Sequence, residues 1–349
     1  MRIGYVPKRI GPTRVTIKNV AELAGVSQPT ASLVLSGHPT ARIAAATRAR
    51  VLEAARELGY RPNRVAQALA RGRSYAIGVL VPDLHNPFFA EVISGVERVA
   101  AEAGYAVLLC EQSVVSAARH LEALKARQID GLVIDAIGAS ELAEDALAGL
   151  NVVLVDEPPG VRPGVASDAL RAGQLAAEHL LALGHDRLAF IGPADAAWAT
   201  RMRERGFAAA LRPAGRAIVS ARWRRVPPTC AGGQAAMLAL LPLPAEQRPT
   251  AVFCANDLLA LGAHKACAAA GVRVPLDCSL VGCDDIEMSR LVTPELSTVQ
   301  VPARALGARA ARLLLAELEA PGQAARPRQP LAVELVVRGS SGPAPVAAA

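Results

Sequence analysis

From Tyr75 onward the chain alternates short β-rich runs with alanine-rich stretches of helical length, and this alternation constrains its fold most. The runs are Ala76–Val81, Ala106–Cys110, Gly131–Asp135, Val152–Asp156, Leu188–Gly192, Ala251–Cys254 and Leu280–Cys283. A strand that is followed by a helix before the next strand pairs in parallel, because the helix carries the chain back to the starting end of the sheet. Residues 75–340 are too many for one such sheet, so the reading is an α/β, doubly wound parallel-sheet domain of two lobes. The lobes are expected at about 75–174 plus 302–328, and 175–301 plus 329–340. A ligand is expected at the carboxyl ends of the strands. The small, polar tail, 341–349, is expected to be disordered.

Residues 15–60 have a different, all-helical texture. Ile17, Val20, Ala21 and Ala24 recur at helical spacing, and Gly25 breaks the pattern. Ser27 is suited to cap a second helix from Gln28 to about Leu35, which Gly37 and Pro39 end. A third runs from about Ala45 to Leu58, with Val51, Ala54, Ala55 and Leu58 on one face and Gly59 as its stop. A helix-turn-helix needs a small residue in the first helix, a glycine in the turn and a capped second helix. Ala21, Gly25 and Ser27 fill those places. The stretch "YRPNRVAQALARGRS" supports about two helical turns, too few to persist alone in water. Residues 61–74 therefore read as a linker, helical only when something supports it. Residues 1–14 read as a basic, disordered extension.

Charge separates the same regions. The chain carries +7 overall, but residues 1–74 hold 13 lysines and arginines against three acids, which is +10 and leaves −3 for the rest. The positive excess points to a polyanionic partner for that part alone. At 52% hydrophobic the chain can bury sizeable cores. No apolar stretch approaches the roughly 18–20 residues of a membrane span, and no apolar run follows Met1–Arg14, so a cytoplasmic protein without membrane contact is expected. The six cysteines form no C-x-x-C pair and no histidine cluster supplies zinc-ligand spacing, so buried reduced thiols are expected, with no metal and no cofactor. There is no P-loop, no G-x-G-x-x-G after a strand, no H-E-x-x-H and no G-x-S-x-G. No catalytic residue is assigned and the chain is not read as an enzyme.

The run "VTIKNVAELAGVSQPTASLVLSG", Val15–Gly37, closely resembles the DNA-binding head of the lactose/galactose repressor family of bacterial transcriptional regulators. "YRPNRVAQALARGRS" resembles that family's hinge helix. The likeness continues through "IGVLVPDLHNPFFAEVISGVE", "ARQIDGLVI", "VVLVDEP", "LGHDRLAFIGP", "FCANDLLALGA", "GVRVPLDCSLVGCDDIEMSRLVTPELSTV" and "ELVVRGS", covering about residues 15–340 in order. It implies a dimeric regulator, most simply a repressor, that binds a pseudo-palindromic operator in double-stranded DNA. A small effector, sugar-like by resemblance to periplasmic sugar-binding proteins, would sit between the lobes and modulate operator affinity.

The resemblance also implies site residues. In the head, Thr16, Ser27 and Thr30 match positions that contact phosphate or groove edges, and Ser32 matches a phosphate-side position. Gln28 and Pro29 occupy the pair that varies with operator sequence. Glutamine can read adenine with two hydrogen bonds, whereas proline reads shape or a methyl group. Leu33 stands where many members have arginine. In the hinge, Asn63 matches a backbone contact, and Ala66 and Leu69 match minor-groove residues, the leucine wedging between base steps. In the sensor, Asn86, Phe88 and Phe89 match positions that touch or stack on a sugar ring, and Asp156, Arg203, Asn256 and Asp284 match polar contacts. Core packing for the phenylalanines and helix capping for Asp284 stay open as alternatives. Three departures change the expected polarity. Glu157 stands where ribose-type binders often carry arginine, Val301 where many members have a ligand-contacting glutamine, and Pro228 near a frequently aromatic position.

A solute-binding receptor that does not regulate DNA is the alternative, and the basic head argues against it. If the hinge assignment holds, Leu69→Ala should lose specific operator affinity and keep effector binding. An operator titration at fixed salt with unchanged affinity would sink that assignment.

Overall fold

The computed structural model describes residues 15–35, 43–60, 72–112, 117–135, 144–157, 162–193, 197–216, 220–322 and 329–345. The chain separates into two compact units, Met1–Ser74 and Tyr75–Ala349. The basic extension 1–14, Gly37 and Pro39, and the hinge residues Asn63, Ala66 and Leu69 lie outside the described residues.

In the first unit, helices α1 (Ile17–Ala24), α2 (Gln28–Leu35) and α3 (Ala45–Glu57) pack through Val20, Ala31 and Val51, all fully buried, with Ala21, Ala24, Val34 and Ala54 around them. Small residues dominate this core, so the helices approach closely. At the start of α1, Asn19 Oδ1 accepts from the Thr16 backbone N–H at 2.9 Å and from the Thr16 hydroxyl at 2.8 Å. Gly25 ends α1 in the left-handed region, φ 63°, where a side chain would be strained. The turn then feeds α2, whose first turn is held by Ser27 Oγ accepting from Thr30 N–H at 3.3 Å.

The second unit contains two sheets. In the first, β1 (Ala76–Val81), β2 (Ala106–Glu111), β3 (Gly131–Asp135), β4 (Asn151–Val155) and β5 (Gly164–Val165) are ordered β2-β1-β3-β4-β5, all parallel. Helices α4 (Pro87–Glu102) and α5 (Ala117–Ala126) complete its βαβ units. The chain then crosses over. Helices α6 (Ala169–Ala182), α7 (Trp198–Leu211), α8 (Cys230–Leu240) and α9 (Asp257–Ala269) accompany strands β6 (Leu188–Pro193), β7 (Trp223–Val226), β8 (Ala251–Cys254), β9 (Ser279–Asp284) and β10 (Ser297–Gln300). Helix α10 (Ala303–Glu319) returns to pack on α4, β3 and β4, and β11 (Glu334–Val336) rejoins the second sheet. That sheet reads β11-β10-β9-β8-β6-β7, with only the β10–β11 pair antiparallel. Strands β3, β6, β8 and β9 are buried along their whole length, as expected of parallel strands covered on both faces.

Three expectations are corrected. Helix α6 packs mainly on α7 and the second sheet, so the first crossover falls before Ala169 and not at 174/175. The tail is ordered through residue 345. Ser341 Oγ is 2.8 Å from His179 Nε2, Gly342 O accepts from His185 Nε2 at 3.0 Å, and Ala344 N–H donates to Leu183 O at 2.9 Å. Small polar residues looked unstructured because their partners lie far away in the chain. Among the cysteines, Cys254, Cys267, Cys278 and Cys283 are buried and unpaired, but Cys230 is exposed at the start of α8 and Cys110 is half-buried on edge strand β2.

Helices α6 and α7 meet backbone to backbone. A Cβ on Gly173 would lie 1.9 Å from Arg203 O, and one on Gly206 would lie 1.9 Å from Leu170 O. This contact sets where Arg203 stands. Gly173→Ala is therefore expected to cost about 1–3 kcal/mol through overpacking, read from urea denaturation. A loss within a few tenths of a kcal/mol would mean that the helices are free to separate.

Candidate functional site

The described candidates of the head are at or near its surface. Thr16, Ser27, Gln28, Pro29 and Ser32 are exposed, and Thr30 is half-buried. On α2 the exposed Gln28, Pro29, Ser32 and Leu33 share one side, while Ala31 and Val34 turn into the core. Leu33, 40% exposed, puts an apolar group among polar ones on that side. Ser27 and Thr30 hydroxyls are 2.8 Å apart, so capping and presentation of these two side chains occur together.

In the second unit the carboxyl ends of the strands enclose a cavity of about 180 Å3. Asn86, Phe88, Phe89, Asp156, Arg203, Asn256 and Asp284 all line it, as does Pro228. These residues come from the ends of β1, β4, β7, β8 and β9 and from α4 and α7. Two asparagines arrive as helix caps. Asn86 Oδ1 accepts from Phe88 N–H at 3.1 Å at the start of α4, and Asn256 Oδ1 accepts from Leu259 N–H at 2.9 Å at the start of α9. Capping commits each carbonyl and leaves each amide NH2 as the group with donors to offer. Phe88 and Phe89 meet edge to face, centroids 5.4 Å apart at 80°. Phe88 is almost fully buried and Phe89 half-buried, so packing and lining are not exclusive.

The aspartates sit on strained backbone. Among the described residues five non-glycines have positive φ, and three of them are Asp156 (53°), Asp284 (123°) and Asp285 (56°). Such conformations cost about 1–3 kcal/mol each and persist only where neighbours over-determine them. Asp156 Oδ1 accepts from the Ser167 backbone at 2.9 Å and hydroxyl at 2.8 Å, joining the end of β4 to the crossover. Asp285 accepts from Arg338 Nη2 at 2.6 Å, Arg290 Nη2 at 3.1 Å and Gln300 Nε2 at 3.0 Å. Burial pushes its carboxyl up, but the bonds from Arg338 and Arg290 outweigh this and hold it below the usual range. Fully buried Asp257 braces the next residues, accepting from Ile286 N–H at 3.0 Å, Ser289 Oγ at 2.7 Å and Thr298 Oγ1 at 2.6 Å.

Arg203 is the one cation lining the cavity among the described residues, and it is 5% exposed. Nη1 donates to Ala255 O at 2.7 Å and lies 3.1 Å from Asp284 Oδ1, while Nη2 lies 3.9 Å from Asp156 Oδ2. Burial opposes its charge, but Cys283, Asp284 and Asp156 beside it more than offset this. Burial drives the Asp284 carboxyl up to about 8, even with Arg203 pulling it down.

Sequence reasoning missed four contributors. Asp83 and Thr200 also line the cavity, and Asp83 Oδ1 lies 2.9 Å from His85 Nδ1. Asp135, at the carboxyl end of β3, is fully buried. Burial, then Asp156 and Asp284, raise its carboxyl well above the ordinary range, and Arg203 only partly offsets them. Asp257 was missed because its partners come from three other elements. Glu157 and Val301 do not line the cavity; Val301 faces a larger open groove along α4 and α10, about 1200 Å3.

A carboxyl raised in the folded state keeps a proton that the unfolded chain has already lost, so stability falls as pH rises from about 4, the unfolded value, toward about 8 for Asp284. Asp284→Asn should flatten that decline in thermal melts between pH 5 and 8. A slope identical to the parent's would refute the assignment.

The comparisons with known proteins agree with this geometry. Residues 16–63 match the bacterial regulatory proteins of the lacI family, and residues 177–341 match a periplasmic binding protein-like domain. The HTH-type transcriptional repressor PurR of Aliivibrio fischeri (strain MJ11) is 35% identical over 315 residues, covering 87% of this chain and 92% of the relative. The ribose operon repressor of Escherichia coli (strain K12) is 34% identical over 314 residues, covering 88% and 94%. The lac repressor dimer bound to operator and the anti-inducer ONPF superposes with a TM-score of 0.82 at 30% identity, over 95% of this chain and all of that one. A LacI family transcriptional regulator from Enterococcus faecium with bound ribose gives 0.68 at 30% identity, over 77% of this chain and 99% of that one. With a helix-turn-helix head, a two-sheet sensor and relatives matched over nearly their full length, the chain belongs to the lacI family of bacterial regulatory proteins.

Proposed function

We propose that this chain is a homodimeric transcriptional repressor whose head binds an operator and whose two-lobed unit senses a small polar effector. The observation that carries the reading is the convergence of seven separately placed side chains, Asn86 to Asp284, on one cavity, in a chain whose basic excess is confined to the head. The relatives, named as repressors, and the operator-bound dimer support the DNA-binding half; the regulator with bound ribose supports a sugar-like effector.

Thr16, Ser27, Gln28, Pro29, Thr30 and Ser32 are the proposed head contacts, and Asn63, Ala66 and Leu69 the proposed hinge contacts. One head spans only a few base pairs, so two are needed to read a pseudo-palindrome at useful affinity. Effector binding stabilises one relative arrangement of the lobes, and operator affinity changes by that differential free energy. Arg203 suits this role because it reaches Asp156 from the second lobe. The buried polar groups of the cavity are read as serving binding, in keeping with relatives named as repressors. No described helix is long and apolar enough to cross a membrane. An operator partner supports the reading of a cytoplasmic protein.

Two measurements test the reading. Binding to non-specific duplex should weaken steeply with salt, by about 10³–10⁵ between 50 and 200 mM if 6–10 phosphates are contacted; no duplex binding would favour a solute receptor. A thermal-shift screen of sugars, sugar acids and nucleobases should then yield a ligand that changes operator affinity.

A further inference from the structure

A second cluster of side chains forms where β1 and β2 end. Asp83, His85 and Glu111 each offer one donor atom there, and the three atoms lie within 4.8 Å of one another. His85 Nδ1 is 2.9 Å from Asp83 Oδ1 and 3.9 Å from Glu111 Oε1. Strand pairing brings them together: Val81 stands opposite Glu111 in the parallel β1–β2 ladder, so the residues just past Val81 meet the Glu111 side chain. Backbone amides orient both carboxylates. The His85 N–H donates to Asp83 Oδ1 at 2.7 Å, and the Leu84 N–H donates to Glu111 Oε1 at 3.1 Å. One such bond fixes a carboxylate and leaves it further lone pairs for a ligand.

Two carboxylates this close repel unless positive charge stands between them. A protonated imidazole supplies that charge. So does a dication, for which the neutral imidazole is itself a ligand. Metal–ligand bonds of about 2.0–2.2 Å set the donors on one ion about 3–4 Å apart. Both His85 distances are close to that spacing, and the His85 side chain, 88% exposed, is free to turn and complete the set. Solvent reaches the cluster from the His85 side, while Glu111, 14% exposed, forms its inner wall. The imidazole nitrogen separates this trio from an ordinary acidic pair. One nitrogen with two carboxylate oxygens suits zinc or a similar first-row dication, whereas magnesium and calcium prefer oxygen alone. The expectation of no metal looked for ligands close together in the chain, and Glu111 comes from the neighbouring strand.

We propose that Asp83, His85 and Glu111 bind one zinc-like dication beside the effector cavity, tying the loop between β1 and α4 to the end of β2. Of the three, only Asp83 also lines the cavity, so the site stands whether or not that cavity takes the effector. The ion takes the place a proton would hold on the imidazole, so its affinity falls on acidification. Because the site needs the folded pairing of β1 with β2, the bound ion stabilises the folded chain by mass action.

The test is calorimetric titration of zinc chloride into the untagged full chain, with magnesium chloride as the contrasting ion. One zinc per chain should bind, at least about tenfold more tightly than magnesium, and should raise the midpoint of the thermal melt. X-ray absorption of the loaded protein should show oxygen and imidazole nitrogen around the metal and no sulfur, which separates this site from the cysteines. His85→Gln and Glu111→Gln should each weaken zinc binding about tenfold or more and remove the rise in midpoint. His85 is exposed, so His85→Gln should melt like the parent without zinc, and it decides the matter even where Glu111→Gln folds poorly. No saturable zinc uptake up to about 100 µM, sulfur around the metal, or an affinity unchanged in His85→Gln would each overturn the proposal and leave the trio as a surface ion pair.

Discussion

The sensor unit is organised around the buried guanidinium of Arg203. Arg203 rises from α7 in the second lobe, donates to the end of β8 through Ala255 O, pairs with Asp284 at the end of β9, and lies within 4 Å of Asp156 at the end of β4 in the first lobe. Remove that charge and three carboxyls face one another in a low-dielectric site. The cost of leaving one partner of a buried pair unmatched far exceeds the gain from forming it. The arginine therefore ties the two lobes electrostatically, and its position depends on the close approach of α6 and α7 at Gly173 and Gly206.

Strain is concentrated at the same place. Asp156, Asp284 and Asp285 hold left-handed backbone at strand ends, and each is braced from elsewhere in the chain: Ser167 for the first, and Arg338, Arg290, Gln300 and the Asp257 network for the turn of the other two. Arg338 belongs to the segment that also carries Ser340, Ser341 and Gly342 into the second lobe. Residues that look like a dispensable tail thus support the turn that presents Asp284. A ligand entering the cavity meets groups whose geometry is set in advance, so little ordering free energy is lost on binding.

The two units follow different design rules. The head is a small-residue core that presents hydroxyl, amide and proline side chains on one side, with an apolar Leu33 among them. Under the proposed contacts, its charge excess would supply affinity for any duplex and the few side chains of α2 the discrimination. The sensor buries long apolar strands and spends its polar groups at one end of each sheet. Aromatic residues divide likewise: Phe190, Phe207 and Phe253 pack together in the second lobe beside Trp223, while Phe88 and Phe89 stand at the cavity.

Much was legible in the sequence because it is local. Helix α2 begins and ends where Ser27 and the apolar spacing place it, and β1, β3 and β8 coincide with their apolar runs. Strands β7, β10 and β11 were not legible: "WRRV" is half polar, and the other two are short segments whose pairing depends on distant neighbours. The resemblance placed seven side chains that do share one cavity, since motifs at strand ends are recognisable locally. The sequence alone determined the chain's class, its basic head and the residue types available to the site. Tertiary structure alone decided that Asp135 lies buried and unpartnered beside Arg203, that the tail is held by His179 and His185, and that α6 belongs to the second lobe. Burial and net charge at a site are sums over residues distant in the chain, and no local pattern encodes such a sum.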